Sequence, residues 1–181
     1  RLLQNGDEIF PAMLEAIASA QSSIHLESYI YRDGKVAREM AAALAERARA
    51  GVSVRLLLDA IGSVGFGEEN QRLLEEAGAT VVFFRPLSVK TLRKIHLRTH
   101  RKVLVVDGRV GFVGGVCIAD EWMGDADRPT RWRETVVRVE GPVARQLQAA
   151  FGRAWLEATD ELLAGKSLYP SNGHAGDAVC Q

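Results

Sequence analysis

A histidine at position 100, a lysine at 102, an aspartate at 107 and the pair Gly114-Gly115 form the stretch whose residue types could do chemistry. In an extended segment side chains alternate faces, so His100 and Lys102 project side by side from one surface. Imidazole can attack, or move protons, near neutral pH. An adjacent ammonium attracts a phosphodiester and steadies the charge that develops on it. Two glycines let backbone N–H groups approach an anion with no side chain in the way. The pattern reads as a phosphodiester site, with His100, Lys102 and Asp107 as its catalytic signature and Gly114 and Gly115 as phosphate-binding candidates. Asp107-Gly108 is also a strong two-residue turn signal, so Asp107 has a structural task and is given no direct chemical step.

The elements that must position this stretch follow from periodicity. Asp7 can cap a helix carrying Ile9, Phe10, Met13, Leu14 and Ile17 on one face, with Pro11 in its first turn. Residues 23–31 alternate as a strand, and residues 34–50 repeat Val36, Met40 and Leu44 at helical spacing. Residues 52–58 form a short apolar strand ending at Asp59, 61–67 a glycine-rich loop, 68–77 a helix and 79–84 a buried strand. A basic loop at 85–99 leads to a hairpin of 102–106 with 109–113. A short helix at 118–123, whose N-terminus would favour an anion, precedes a strand at 132–140. Pro142 opens a helix with Val143, Leu147, Phe151 and Trp155 toward the core. Strands alternating with helices indicate an α/β fold, with a mostly parallel sheet covered on both faces and function at the strand ends. That places Glu27, Tyr29 and Asp59 near a possible cleft. Residues 165–181 are polar and aperiodic, a linker or tail after a single domain of residues 1–164.

With 181 residues, 47% of them hydrophobic, the chain can bury one proper core. Basic and acidic residues number 23 each, so global charge argues for neither nucleic acid nor membrane. Locally, residues 85–102 hold seven basic side chains and no acidic one, directly before the site, as a surface attracting an anionic substrate or membrane would. Cys117 and Cys180 lack C-x-x-C spacing, which suggests neither a disulfide framework nor a zinc site and mildly favours a reducing compartment. No apolar run approaches the length of a membrane span, and no signal-peptide pattern is present.

The ordered text around the site resembles the phospholipase D superfamily, and within it bacterial cardiolipin synthases. The core is His100-x-Lys102-x4-Asp107-x6-Gly114-Gly115. Around it stand Glu27-Ser28-Tyr29, Gly51-Val52-x-Val54-Arg55-Leu56-Leu57-x-Asp59, Arg98-Thr99-His100-Arg101-Lys102, Ile118-Ala119-Asp120-Glu121, Trp132-Arg133-Glu134 and Glu140-Gly141-Pro142, covering residues 5–155. The resemblance implies a three-layer α/β/α sandwich with a central mixed, mostly parallel sheet, and a covalent two-step transfer. One histidine attacks phosphorus to give a phosphohistidine, and a second protonates the leaving alkoxide and then activates the acceptor. Lysines hold the non-bridging oxygens, with no metal or cofactor. Phosphatidylglycerol as both donor and acceptor gives cardiolipin, whereas water as acceptor gives a phospholipase or nuclease. Glu134 matches the acidic residue that holds the histidine's other nitrogen, where relatives more often carry aspartate.

Two positions depart from the family pattern. Cys117 stands where an asparagine would donate to the phosphate. A thiol is a weak donor, so Cys117 either weakens transition-state stabilisation or is simply a small buried residue. His96 also replaces an asparagine, and reads as a supporting polar group rather than as half of a metal pair with His100.

The implied mechanism needs a second histidine. It would come from a second such half in cis, residues 175–181 leading into it and the chain beginning at Arg1 as a fragment, or from a second copy in a homodimer. A phosphatidyltransferase would sit peripherally on the cytoplasmic face of the bacterial cytoplasmic membrane. The competing readings are a homodimeric phosphodiesterase acting on nucleic acid and a non-catalytic half-domain that binds anionic head groups.

Overall fold

A computed structural model describes residues 1–86, 98–171 and 173. Lys90, Arg93, Lys94, His96, Cys180 and the proposed second-half start at 175–181 lie outside the described residues. In chain order the elements are β1 (Leu2–Gln4), α1 (Asn5–Ser19), β2 (Ser23–Ser28), α2 (Lys35–Arg49), β3 (Ser53–Asp59), α3 (Glu68–Glu76), β4 (Thr80–Phe84), β5 (Val103–Val106), β6 (Val110–Gly114), β7 (Thr135–Glu140) and α4 (Pro142–Thr159). The strands form one seven-stranded sheet in the order β1-β7-β6-β5-β2-β3-β4.

The α/β class and the mixed sheet match expectation, but the predominance of parallel pairing does not. Only β2–β3 and β3–β4 are parallel, and the other four pairings are antiparallel. The reason is the Asp107-Gly108 turn. Both residues have positive φ, 53° and 61°, as a hairpin turn that follows strand twist requires. β6 therefore returns directly beside β5 with no crossover helix, and β7 continues the meander. Other boundaries moved too. Asn5, not Asp7, opens α1, so Pro11 falls inside the helix rather than in its first turn. The expected helix at 118–123 is one 3-10 turn, Asp120–Trp122, too short to carry a dipole argument. β7 begins at Thr135, and the short β1 that pairs with it carried no signal.

The sheet separates two apolar clusters. On one face Ile9, Met13 and Ile17 of α1, Met40 and Leu44 of α2 and Leu74 of α3 pack over Ile24, Leu26, Leu56 and Leu104. On the other, Phe151, Ala154 and Trp155 of α4 cover Leu57, Phe84 and Leu163. β2 lies in mid-sheet and is buried along its length, although its α4-facing residues His25 and Glu27 are polar. His25 stacks on Phe151 with ring centroids 4.8 Å apart, and its Nδ1 lies 2.8 Å from Gln148 Oε1. Residues 165–170 turn back onto the domain. Leu168 packs against the α4-side cluster, and its carbonyl oxygen lies where a side chain at Gly108 would begin.

Candidate active site

The sheet order brings one set of strand ends to a single edge: the C-terminal ends of β2, β3, β4 and β6, and the N-terminal ends of β5 and β7. His100 and Lys102 arrive there on the extended segment that enters β5. His100 is exposed, its ring 4.8 Å from that of Tyr29 at an interplanar angle of 55°. Lys102 is buried beneath, with Nζ 5.2 Å from the centroid of the same Tyr29 ring and donating to the His100 carbonyl at 2.8 Å. An ammonium has three donors. Among the described residues only the His100 carbonyl takes one of them, which leaves two for an incoming anion.

Burial pushes the Lys102 ammonium below the usual lysine range, while Cys117 and Glu134 act in the opposite sense. Both therefore lie within electrostatic reach of the lysine. Cys117 is buried, with Sγ 3.9 Å from the Gly115 carbonyl, and burial raises its thiol despite a backbone bond from Ile30 and the charge of Lys102.

Glu134 sits just before β7, its main chain fastened to α1. The Asn5 N–H donates to the Glu134 carbonyl at 2.9 Å, and the Glu134 N–H donates to Asn5 Oδ1 at 3.1 Å. Its Oε1 accepts from the Thr135 N–H at 2.8 Å. A Cβ on Gly115 would lie 2.0 Å from Glu134 Oε2, and one on Gly114 would lie 2.8 Å from the Thr135 carbonyl. The second glycine of the pair thus makes room for a carboxylate. Among the described residues no hydrogen bond joins Glu134 to His100, so the expected orienting contact is not made in this arrangement.

Asp107 stands apart from the other signature residues, at the opposite end of β5. Its Oδ1 accepts from the N–H groups of Ser22 and Ser23 at 2.7 and 2.8 Å and from the Ser22 hydroxyl at 2.8 Å. Its Oδ2 accepts from the Gln21 N–H at 2.9 Å. Burial alone would raise this carboxyl, but the bonds from Ser23, Gln21 and Ser22 outweigh it and hold Asp107 below the usual carboxylate range. These bonds fasten the hairpin turn to residues 21–23, at the entry to β2.

Two buried carboxylates, which the sequence suggested only as cleft neighbours, fasten the segment carrying His100. Asp59 receives Arg98 Nε at 3.2 and 2.9 Å and the N–H groups of Ile61 and Gly62 at 3.0 Å each. Arg98 continues to the carbonyls of Arg85 and Phe84 at 3.0 and 2.9 Å, tying the segment to the end of β4. Glu27 Oε1 accepts from the Thr99 hydroxyl and from Arg101 Nε. Burial raises its carboxyl, with Thr99 and Arg101 opposing, and its Oε2 is buried without a partner. Residues 98, 99 and 101 are thus all held, leaving the side chain of residue 100 to face outward. The one local hint was an arginine two residues before His100 and lone acids at strand ends. Asp120, also in a motif, instead accepts from the Lys35 and Val36 N–H groups at the start of α2.

Comparison with known proteins supplies the family. A model described as cardiolipin synthase, PLD-like domain, matches residues 13–155. The chain belongs to the phospholipase D-like domain family of cardiolipin synthases. Relatives of this PLD-like domain include cardiolipin synthase 1 of Bacillus anthracis, 37% identical over 163 residues that are 90% of this chain and 32% of the relative. Cardiolipin synthase of Geobacillus thermodenitrificans is 39% identical over 163 residues, again 90% of this chain and 32% of the relative. The domain spans about a third of the length of these curated relatives. In fold it is similar to Nuc of Salmonella typhimurium, a phospholipase D family member, at a TM-score of 0.65 and 17% identity over 86% of this chain and 92% of that one. It is also similar to phosphatidylserine synthase of Haemophilus influenzae, at a TM-score of 0.67 and 14% identity over 94% of this chain and 38% of that one.

Proposed function

We propose that this PLD-like domain, residues 1–164, is one half of a phosphatidyltransferase of the cardiolipin synthase type. The observation that carries the reading is His100, exposed over Tyr29 with the Lys102 ammonium beneath it, in a chain of this family. One histidine attacks the phosphorus of phosphatidylglycerol, forming a P–N bond as the P–O bond to glycerol breaks, and the other protonates the glycerol alkoxide. The hydroxyl of a second phosphatidylglycerol then attacks phosphorus and gives its proton to the histidine that donated one. The P–N bond breaks, and cardiolipin and glycerol are the products. His100 is one of the two histidines. Its partner comes from a second half in cis or from a second copy. Lys102 holds a non-bridging oxygen with its two unused donors, the Gly114-Gly115 turn and Cys117 border the phosphate position, and Glu134 balances charge at Lys102 and orients His100 once phosphate is bound. Among the described residues no helix is long and apolar enough to cross a membrane, and the enzyme works peripherally on the cytoplasmic face of the bacterial membrane.

The test is a substrate comparison: incubation with phosphatidylglycerol and, separately, single-stranded DNA, following cardiolipin, phosphatidic acid and nucleotides. Cardiolipin supports the transferase. Cleavage of DNA alone replaces it with a homodimeric phosphodiesterase, and no product from a folded dimer replaces it with a non-catalytic head-group binder.

A further inference from the structure

Tyr29, the first residue beyond β2, has its ring against both members of the His100–Lys102 pair. The imidazole lies 4.8 Å from the ring, centroid to centroid, and tilted by 55°, and the ammonium lies 5.2 Å from the same centroid. Both separations fall in the attractive range, the first for an aromatic pair and the second for a cation on a π face. A histidine exposed at a strand entry has three staggered χ1 settings open to it, and they aim its ring nitrogens in different directions. Among the described residues no hydrogen bond reaches the His100 ring. The Tyr29 ring is the contact that restricts it. For Lys102, burial disfavours the ammonium, and the electron-rich ring face acts against that loss.

The ring is itself fixed from behind. A Cβ on Gly62 would lie 2.1 Å from the Tyr29 carbonyl oxygen and 3.1 Å from its ring carbon Cδ2, so the turn after β3 is seated against both the main chain and the ring of Tyr29. The Ser63 hydroxyl donates to the Tyr29 carbonyl at 3.1 Å and accepts from the Tyr31 N–H at 3.1 Å. That turn hangs on Asp59, whose Oδ1 accepts from the Ile61 and Gly62 N–H groups and whose carbonyl accepts from the Ser63 N–H at 2.9 Å. The same carboxylate takes Arg98, two residues before His100, at 2.9 Å. One buried acid thus sets the support of the ring and the segment of the imidazole relative to each other. Among the described residues the Tyr29 hydroxyl makes no hydrogen bond, whereas its ring is held on one side and used on the other.

We propose that Tyr29 is the positioning residue of this half-site: its ring sets the His100 imidazole and seats the Lys102 ammonium so that both address one phosphate. The ring does this through its face and shape, and the hydroxyl is dispensable. A nucleophile or acid must meet phosphorus or the leaving oxygen within a few tenths of an ångström, and misplacement by about 1 Å costs about 100-fold in rate. The proposal rests on His100 and Lys102 acting on a phosphodiester, but its test reads the two side chains apart from turnover.

The full chain, isotope-labelled at histidine and lysine, is titrated by NMR, with His100→Gln and Lys102→Arg assigning the two signals. In wild type the His100 Cε1–H resonance is expected to be displaced by the Tyr29 ring current. Tyr29→Phe should keep that displacement, and Tyr29→Leu should return the signal to the position of an exposed histidine. Phenylalanines bearing successive fluorines at position 29 keep the ring's shape and weaken its face, so the Lys102 ammonium should lose its proton at progressively lower pH along the series. A merely structural ring would not order that titration. With phosphatidylglycerol, kcat should hold within about threefold in Tyr29→Phe and fall about 10- to 100-fold in Tyr29→Leu, compared at equal folded fraction. Equal His100 signals in wild type and Tyr29→Leu, or a Lys102 titration indifferent to fluorination, overturns the proposal; the fluorinated series decides alone where Tyr29→Leu does not fold. A loss in Tyr29→Phe as large as that in Tyr29→Leu also overturns it, by making the hydroxyl a direct donor to substrate. The two NMR signatures without turnover keep the positioning role and reject the transferase; cardiolipin formed at full rate by folded Tyr29→Leu does the reverse.

Discussion

Asp107 belongs to the motif by sequence and to the framework by geometry, and Asp107→Asn separates the two. The substitution keeps side-chain size, and asparagine tolerates the left-handed backbone at φ 53°. It removes the charge behind four hydrogen bonds from Ser22, Ser23 and Gln21. If the amide oxygen keeps Ser22 and Ser23, its NH2 group confronts the Gln21 N–H, donor against donor. Hydrogen bonds to a charged group are worth about 1.5–3 kcal/mol each, and partial solvation of this site leaves a net cost of about 2–3 kcal/mol. For a chain of this size that lowers the melting temperature by about 5–10 °C. The carboxyl is held below its usual range, so the fold favours its ionised form. That contribution is complete above the unfolded pKa of about 3.9, fades as pH falls through the lower folded value, and should vanish in the Asn variant. The assay is calorimetric melting across pH, paired with kcat/KM at a temperature where both proteins are folded. A kcat/KM within about twofold of wild type is expected. A loss of about 10³-fold in kcat with an unchanged melting temperature would refute the framework reading and place Asp107 in the chemistry.

Three further outcomes follow from the same geometry. Gly115→Ala must displace the Glu134 carboxylate, because its Cβ would lie 2.0 Å from Oε2; kcat should fall by about 10²-fold, and Glu134→Asp in the same chain should recover part of it by shortening the acid. The alkaline limb of kcat/KM, reporting loss of the Lys102 proton, should lie below the ordinary lysine range, and Glu134→Gln should move it lower still by removing a charge that holds the proton. Burial lowers His25 to about 4, with the bond to Gln148 opposing. The fold therefore favours neutral imidazole, and stability complete above pH 6.5 is lost as pH falls toward 4, by about 3 kcal/mol in all. His25→Phe should flatten urea-unfolding free energies across that window.

Much of the frame was legible in the chain because its signals are local. The spacing of Val36, Met40 and Leu44 marked α2, Asp107-Gly108 marked the hairpin, and Pro142 marked the start of α4. Strand direction was not local. A meander of β5, β6 and β7 and a crossover unit give similar short apolar runs, and only the insertion of β2 between β3 and β5 decides the sheet. The His100–Lys102 pair could be read from a two-residue spacing. The supports of that pair could not, because Arg98 reaches Asp59 across 39 residues, Thr99 reaches Glu27 across 72 and Asp107 reaches Ser22 across 85. The glycine pair suggested backbone open to an anion, and the group that stands against Gly115 in the structure is a carboxylate of the chain itself, Glu134, nineteen residues away in sequence.

The central claim is that His100 is one of the two histidines of a phosphatidyl transfer. The most direct measurement is the rate of cardiolipin formation from labelled phosphatidylglycerol by the wild-type chain and by His100→Ala, at equal vesicle binding and equal folded fraction. A fall of about 10³-fold or more is expected when this imidazole is removed. Cardiolipin formed at an undiminished rate by His100→Ala would contradict the account.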